Sequence, residues 1–120
     1  MGRILHFQQL EVWQEAHKLV LMVYQVTKGF PGDERFGLVS QMRRAAVSVP
    51  ANIAEGFKRR GIQDKIRFYN IAEGSLEELK YFFVLSKDLA YVSSKDDLIS
   101  QSETVGRLLN GLIASTERRR

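Results

Sequence analysis

Apolar residues recur along this chain at alternating steps of three and four, the spacing of a helix face rather than the alternation of a strand. From Gln8 to Lys28, one such stripe holds Leu10, Trp13, His17, Val20, Tyr24 and Thr27. Val12, Ala16, Leu19, Val23 and Val26 widen it beyond one face, which predicts contact with several neighbours. The breaker cluster Gly29-Phe30-Pro31-Gly32-Asp33 predicts an end near Gly29. A second helix is predicted over 34–59, with Asp33 as N-cap and Glu34 in the first turn. Its stripe is Phe36, Val39, Met42, Ala46, Val49, Ile53 and Phe57. Pro50 lies inside this pattern. An internal proline removes a backbone donor and crowds the preceding turn, so a kink is expected between Ala46 and Pro50, with two shorter helices as the alternative.

Beyond Arg60-Gly61, a third helix is predicted over 63–90, with Phe68, Ala72, Leu76, Leu79, Phe83 and Leu89 inward. Tyr91 to Ser94 reads as a loop, and Ser94 with Asp97 three residues on resembles a capping arrangement. The fourth helix is predicted over 95–116, with Leu98, Val105, Leu108, Leu109, Leu112 and Ile113 inward, followed by a solvated basic tail, 118–120. Similar helix lengths and short loops predict an all-α protein: one domain over 1–120, folded as an antiparallel up-down-up-down four-helix bundle.

Small residues interrupt these helices. The second contains Ala45, Ala46, Ser48, Ala51, Asn52, Ala54 and Gly56; the third has Gly74-Ser75, and the fourth Gly106 and Gly111. A helical glycine costs about 1 kcal/mol relative to alanine. Close approach by a neighbouring helix is the expected offset, either inside one subunit or at a subunit interface.

Composition narrows the chemistry. With 120 residues, 44% hydrophobic and 27% charged, the chain suits one folded domain and leaves no room for a second core. It has no cysteine, which removes disulfides and thiolate chemistry and suits a reducing compartment. The longest apolar run, Leu19 to Tyr24, is far short of the roughly 20 residues of a membrane span. No secretory signal is visible, and His6 breaks the myristoylation pattern after Gly2, so a cytoplasmic location is expected.

Carboxylate metal centres occur in four-helix bundles and require Glu-x-x-His pairs. Neither His6 nor His17 has a glutamate three positions before it, so no metal and no cofactor is expected. His17 reads as a satisfied, partly buried histidine on an apolar stripe. Glu73, Glu77 and Glu78 read as a solvated face in which Glu77 can pair with Lys80, rather than as an acid–base pair. No phosphate loop, zincin motif or Ser-His-Asp set is present, and no enzymatic activity is expected.

The charge is more telling once divided. The total is +4, but without Arg118, Arg119 and Arg120 it is 15 Lys and Arg against 14 Asp and Glu. From Arg35 to Arg67 there are eight bases against two acids, or +6; from Phe68 to Glu103 three against seven, or −4. The candidate nucleic-acid-binding residues are Arg43, Arg44, Lys58, Arg59, Arg60, Lys65 and Arg67, most of them at the corner between the second and third helices. Phe57, Phe68 and Tyr69 flank that corner and are candidates for stacking on unpaired bases, or else core residues.

The stretch Gln41-Met42-Arg43-Arg44-Ala45-Ala46-Val47-Ser48-Val49-Pro50-Ala51-Asn52-Ile53-Ala54-Glu55-Gly56 resembles the signature of the 23S rRNA-intervening sequence proteins, also labelled S23 ribosomal protein-like. Phe7 with Trp13-Gln14-Glu15-Ala16, then Phe30-Pro31 and Glu34-Arg35-Phe36-Gly37-Leu38, match that family's opening. Phe68 and Ile71-Ala72-Glu73-Gly74-Ser75-Leu76-Glu77-Glu78-Leu79 resemble its third helix. The resemblance implies a small bacterial cytosolic four-helix bundle protein without catalytic residues. Family members are similar to accessory proteins of diversity-generating retroelements, pentameric barrels that bind nucleic acid and a reverse transcriptase, so the resemblance also implies a homopentamer. One departure stands out. Where the family pattern reads Gly-x-x-Ser, this chain has Lys58-Arg59-Arg60-Gly61-Ile62, without serine, which makes its corner unusually basic. Two functions compete: a homo-oligomer binding RNA or other nucleic acid through that corner, and a structural or protein-interaction scaffold with no nucleic-acid affinity; a third, a small-molecule-binding bundle, has no positive signal in the sequence.

Overall fold

A computed structural model describes residues 3–119. Four helices carry the fold: α1 (Glu11–Thr27), α2 (Leu38–Lys58), α3 (Ile62–Asp88) and α4 (Asp96–Glu117), with no strand among the described residues. They form an all-α four-helix bundle of 47 × 25 × 19 Å. Each helix packs against two others, in the cyclic order α1, α2, α3, α4. Between α2 and α3, Met42 meets Ser86, Ser48 meets Ser75, and the Phe57 carbonyl meets Lys65. Residue numbers fall along α3 as they rise along α2, so this pair is antiparallel. Val23, Met42, Val49, Ile53, Leu79, Phe83, Val105 and Leu109, drawn from all four helices, are completely buried along the axis.

The periodic stripes locate the helices more accurately than they locate the buried face. In α1 the buried residues are Val12, Ala16, Leu19, Val20, Val23 and Thr27. His17 and Tyr24 are exposed, and His17 stacks on Trp13 with ring centroids 5.1 Å apart instead of being partly buried. The reason is geometric. A helix touching both α2 and α4 centres its buried face between the two contacts, which here keeps Val20 and Thr27 of the stripe and adds Val12, Ala16, Leu19 and Val23.

Three helix ends differ by more than one residue from their expected places: α1 begins at Glu11 rather than Gln8, α2 at Leu38 rather than Glu34, and α3 ends at Asp88 rather than Ala90. The second helix starts at Leu38, because Gly32–Glu34 forms a separate 3-10 turn and Gly37 takes the N-cap position. Asp33 makes no side-chain cap. The neighbouring Glu34 caps instead: its Oε1 accepts from the Leu38 amide at 3.3 Å, and its Oε2 accepts from the Tyr91 hydroxyl at 2.8 Å. Glu34 thereby ties the α1–α2 loop to the α3–α4 loop, and this hydrogen bond pushes the Tyr91 phenol above its ordinary pKa. Phe36, expected on the inner stripe, falls outside the helix and is 89% exposed.

α2 runs unbroken through the buried Pro50, so the two-helix alternative does not form. α3 ends at Asp88 in a Schellman motif, with the Tyr91 amide donating to the Ser86 carbonyl and the Ala90 amide to that of Lys87. Ala90 occupies the left-handed position with φ 63°. Leu89, expected inward, is consequently exposed. At α4 the Ser94 hydroxyl accepts from the Asp96 amide at 3.1 Å.

The small residues divide. A Cβ on Gly56 would lie 2.5 Å from Tyr69 Cε1, so the interhelical approach inside the subunit is real there. Ser48 and Ser75 serve the same α2–α3 contact through a 2.8 Å hydrogen bond. A Cβ on Gly106 would meet Leu76 at an ordinary 3.5 Å, whereas Gly74 and Gly111 face open space and have no offsetting neighbour within the subunit.

Candidate nucleic-acid interface

The seven basic candidates do not form one patch. Arg43 and Arg44 lie fourteen to fifteen residues before Lys58 on the same helix, which separates them from the corner by roughly 21 Å. Arg43 is committed to the fold. Its Nε donates to Thr27 Oγ1 at 3.0 Å, its Nη2 to the Tyr24 carbonyl at 3.4 Å, and its guanidinium sits 4.5 Å from the Tyr24 ring centre. A cation there also complements the negative end of the α1 dipole. Arg44 is exposed and borders a groove of about 650 Å³ with Arg35, Phe36 and Val47.

Lys65 is likewise occupied. It is half-buried, and its Nζ donates to the carbonyls of Phe57 at 2.7 Å and Gly56 at 3.3 Å, capping the C-terminus of α2. Burial, and secondarily the charge of Arg119, push its ammonium below the ordinary lysine pKa.

The remaining four candidates gather on the outside of the α2–α3 turn. Lys58 and Arg60 are exposed and make no ion pair among the described residues. Arg59 lies 3.7 Å from Glu55, and Arg67 lies 3.6 Å from Asp64. Such exposed pairs are worth about 0–1 kcal/mol and yield readily to a phosphate. Both guanidiniums also sit 4.6 Å from the centre of the Phe68 ring. The turn spans only 59–61, so the last turn of α2 and the first of α3 are forced together.

No fully exposed aromatic ring is available for base stacking at this corner. Tyr69 belongs to the buried core, whereas Phe68 lies outside that cluster and is covered by the Arg59 and Arg67 guanidiniums, and Phe57 is half-buried beneath Lys65, so the core reading holds for Tyr69. The ring standing free beside arginines is Phe36, at the far end of α2, with Arg35 5.3 Å from its centre. Sequence periodicity hid it by placing Phe36 on the inner stripe. Of the acidic residues, Glu77 and Glu78 are solvent-exposed, and the Glu77–Lys80 pair is not among the ion pairs formed by the described residues. No three His, Asp or Glu side chains among the described residues group as metal ligands, and no described helix is long and apolar enough to cross a membrane.

Three comparisons place this geometry among known proteins. The family model described as 23S rRNA-intervening sequence protein matches residues 8–111. No curated protein sequence matches the chain. Among solved structures, it is similar to a protein of unknown function from the S23 ribosomal protein family of Bacteroides thetaiotaomicron VPI-5482, with TM-score 0.78 and 22% identity over 85% of this chain and 97% of that one.

Proposed function

The chain belongs to the 23S rRNA-intervening sequence protein family, and from that premise we propose a non-enzymatic, homo-oligomeric bundle that binds RNA or other nucleic acid through its basic corner. The supporting observation is the α2–α3 turn, where Lys58, Arg59 and Arg60 project consecutively into solvent with Arg67 beside them. A duplex or folded RNA carries closely spaced phosphates, and binding by such a cluster releases condensed counterions. The interface is therefore narrower than the sequence candidates. It comprises Lys58, Arg59, Arg60 and Arg67, while Arg43 and Lys65 serve helix ends and Arg44 lies elsewhere.

The test is fluorescence anisotropy with a structured RNA and with single-stranded DNA across a salt series. Replacing Lys58, Arg59 and Arg60 together with glutamine is expected to lower the slope of log affinity against log salt by about 2 to 3. Absence of binding at low salt overturns the reading.

A second reading, the scaffold without nucleic-acid affinity, is favoured by a different observation. Phe36 is 89% exposed and Val47 41%, and both border the groove beside Arg44. A second copy covering them would remove apolar surface from water. A pentamer is the copy number implied by the family resemblance. Light scattering is expected to give a mass several times 13.8 kDa, falling toward it in Phe36→Asp; a wild-type monomer at micromolar concentration refutes self-association.

A further inference from the structure

At the end of the bundle where α1 and α3 begin and α2 and α4 finish, a cleft of about 410 Å³ opens between Leu10, Phe57, Tyr69 and Leu112. Its volume falls in the roughly 300–1,000 Å³ range of small-molecule sites. Arg3, Lys65 and Arg119 line it, with Ser115, and no acidic side chain does. Lys65 is accounted for by the α2 carbonyls. Arg3 and Arg119 are not: neither pairs with a carboxylate among the described residues. The charge of Arg119 reaches both polar groups in the cleft, adding to the burial that lowers the Lys65 pKa and opposing the burial that raises the Tyr69 pKa. Three cations and no carboxylate on the rim of an apolar cleft give it a positive potential that favours an anion.

We propose that this cleft binds a small organic phosphate monoester, its phosphate held by Arg3, Arg119 and the one Lys65 N–H not given to the α2 carbonyls, and its apolar or aromatic body resting on Leu10, Phe57, Tyr69 and Leu112. Three cations suit a dianionic head better than a single carboxylate. The Thr116 hydroxyl is already committed to the Leu112 carbonyl at 2.8 Å, which leaves the Ser115 and Tyr69 hydroxyls to donate to the ligand. The cleft shares the end of the bundle with the Lys58–Arg60 turn, since Phe57 and Lys65 line it, but none of Lys58, Arg59 and Arg60 does.

The probes are 5′-AMP, adenosine and inorganic phosphate, titrated into the full chain at low salt by calorimetry and by amide chemical shifts. AMP is expected to shift Tyr69 and Ser115, to bind at least about tenfold more tightly than inorganic phosphate, and to lose about tenfold in Arg119→Gln. Arg119 lies beyond the end of α4 and is exposed, so its replacement leaves folding intact. Adenosine is expected not to bind. The triple glutamine variant at Lys58, Arg59 and Arg60 is expected to retain AMP, which separates this site from the corner. Equal binding of AMP by wild type and Arg119→Gln, equal binding of AMP and adenosine, or shifts confined to 58–60 overturns the proposal.

Discussion

Phe83→Ala is expected to lower the unfolding free energy by about 3–5 kcal/mol, while Phe36→Ala, measured at low protomer concentration, changes it by no more than about 0.5 kcal/mol. The two phenylalanines look alike in sequence, since each stands on a helical stripe. Phe83 is completely buried among residues of the common core, so truncation removes its transfer energy and leaves a cavity that rigid neighbours cannot fill. Phe36 precedes the first turn of α2, is 89% exposed, and touches little besides the Arg35 guanidinium. Urea unfolding of both variants at one protein concentration checks the contrast. Equal losses would mean that Phe36 is packed in the isolated subunit and that the start of α2 at Leu38 is wrong. The concentration must be low, because any copy-to-copy contact through Phe36 adds to apparent stability by mass action.

That contrast marks how far periodicity carries. Four helices, their order and most of the core were legible, because a 3.6-residue repeat of apolar residues has few other solutions. The facing of each helix was less so. The expected stripe of α1 ran through His17 and Tyr24 as well as Val20 and Thr27, and burial kept only the latter two while adding Val12, Ala16, Leu19 and Val23, because two neighbours rather than one define the inner side. The ends were least legible where they depended on partners distant in sequence. Glu34 caps α2 while accepting from Tyr91, fifty-seven residues away. Ala90 accepts a left-handed backbone in the Schellman motif that ends α3, although nothing local favours alanine there over glycine.

The basic residues teach the same lesson about sites. Arg43 and Lys65 contributed to the positive stretch in sequence, yet each is bound to the C-terminal carbonyls of another helix, and helix packing alone decides that. Lys58, Arg59 and Arg60 were legible because a three-residue turn leaves consecutive cations no interior to enter. The cleft at the bundle end was not. It unites residues 3, 65 and 119, and only the return of both chain ends to the start of α3 brings them together.

Gly56→Val is expected to cost about 3 kcal/mol, at the upper end of ordinary overpacking, and Gly74→Ala to gain about 0.5–1 kcal/mol. Both glycines are helical, so propensity alone predicts a gain from alanine at either site. At Gly56 the first added carbon would already stand 2.5 Å from Tyr69 Cε1, 2.8 Å from Cδ1 and 3.1 Å from Phe68 Cβ. The Tyr69 ring is itself buried and cannot swing clear, so α3 must move away or valine must adopt a strained rotamer. At Gly74 nothing lies within 4 Å, and only the entropic gain remains. Thermal and urea unfolding of the two variants supply the test. A neutral Gly56→Val would show that α2 and α3 do not approach closely at this level. The consequence reaches the corner. Gly56 lies two residues before Lys58, and its missing side chain lets the helices converge tightly enough for Arg59 and Arg67 to share the Phe68 ring. If the corner binds nucleic acid as proposed, forcing the helices apart with valine is expected to weaken that binding without removing a single charge, whereas Gly74→Ala leaves it unchanged.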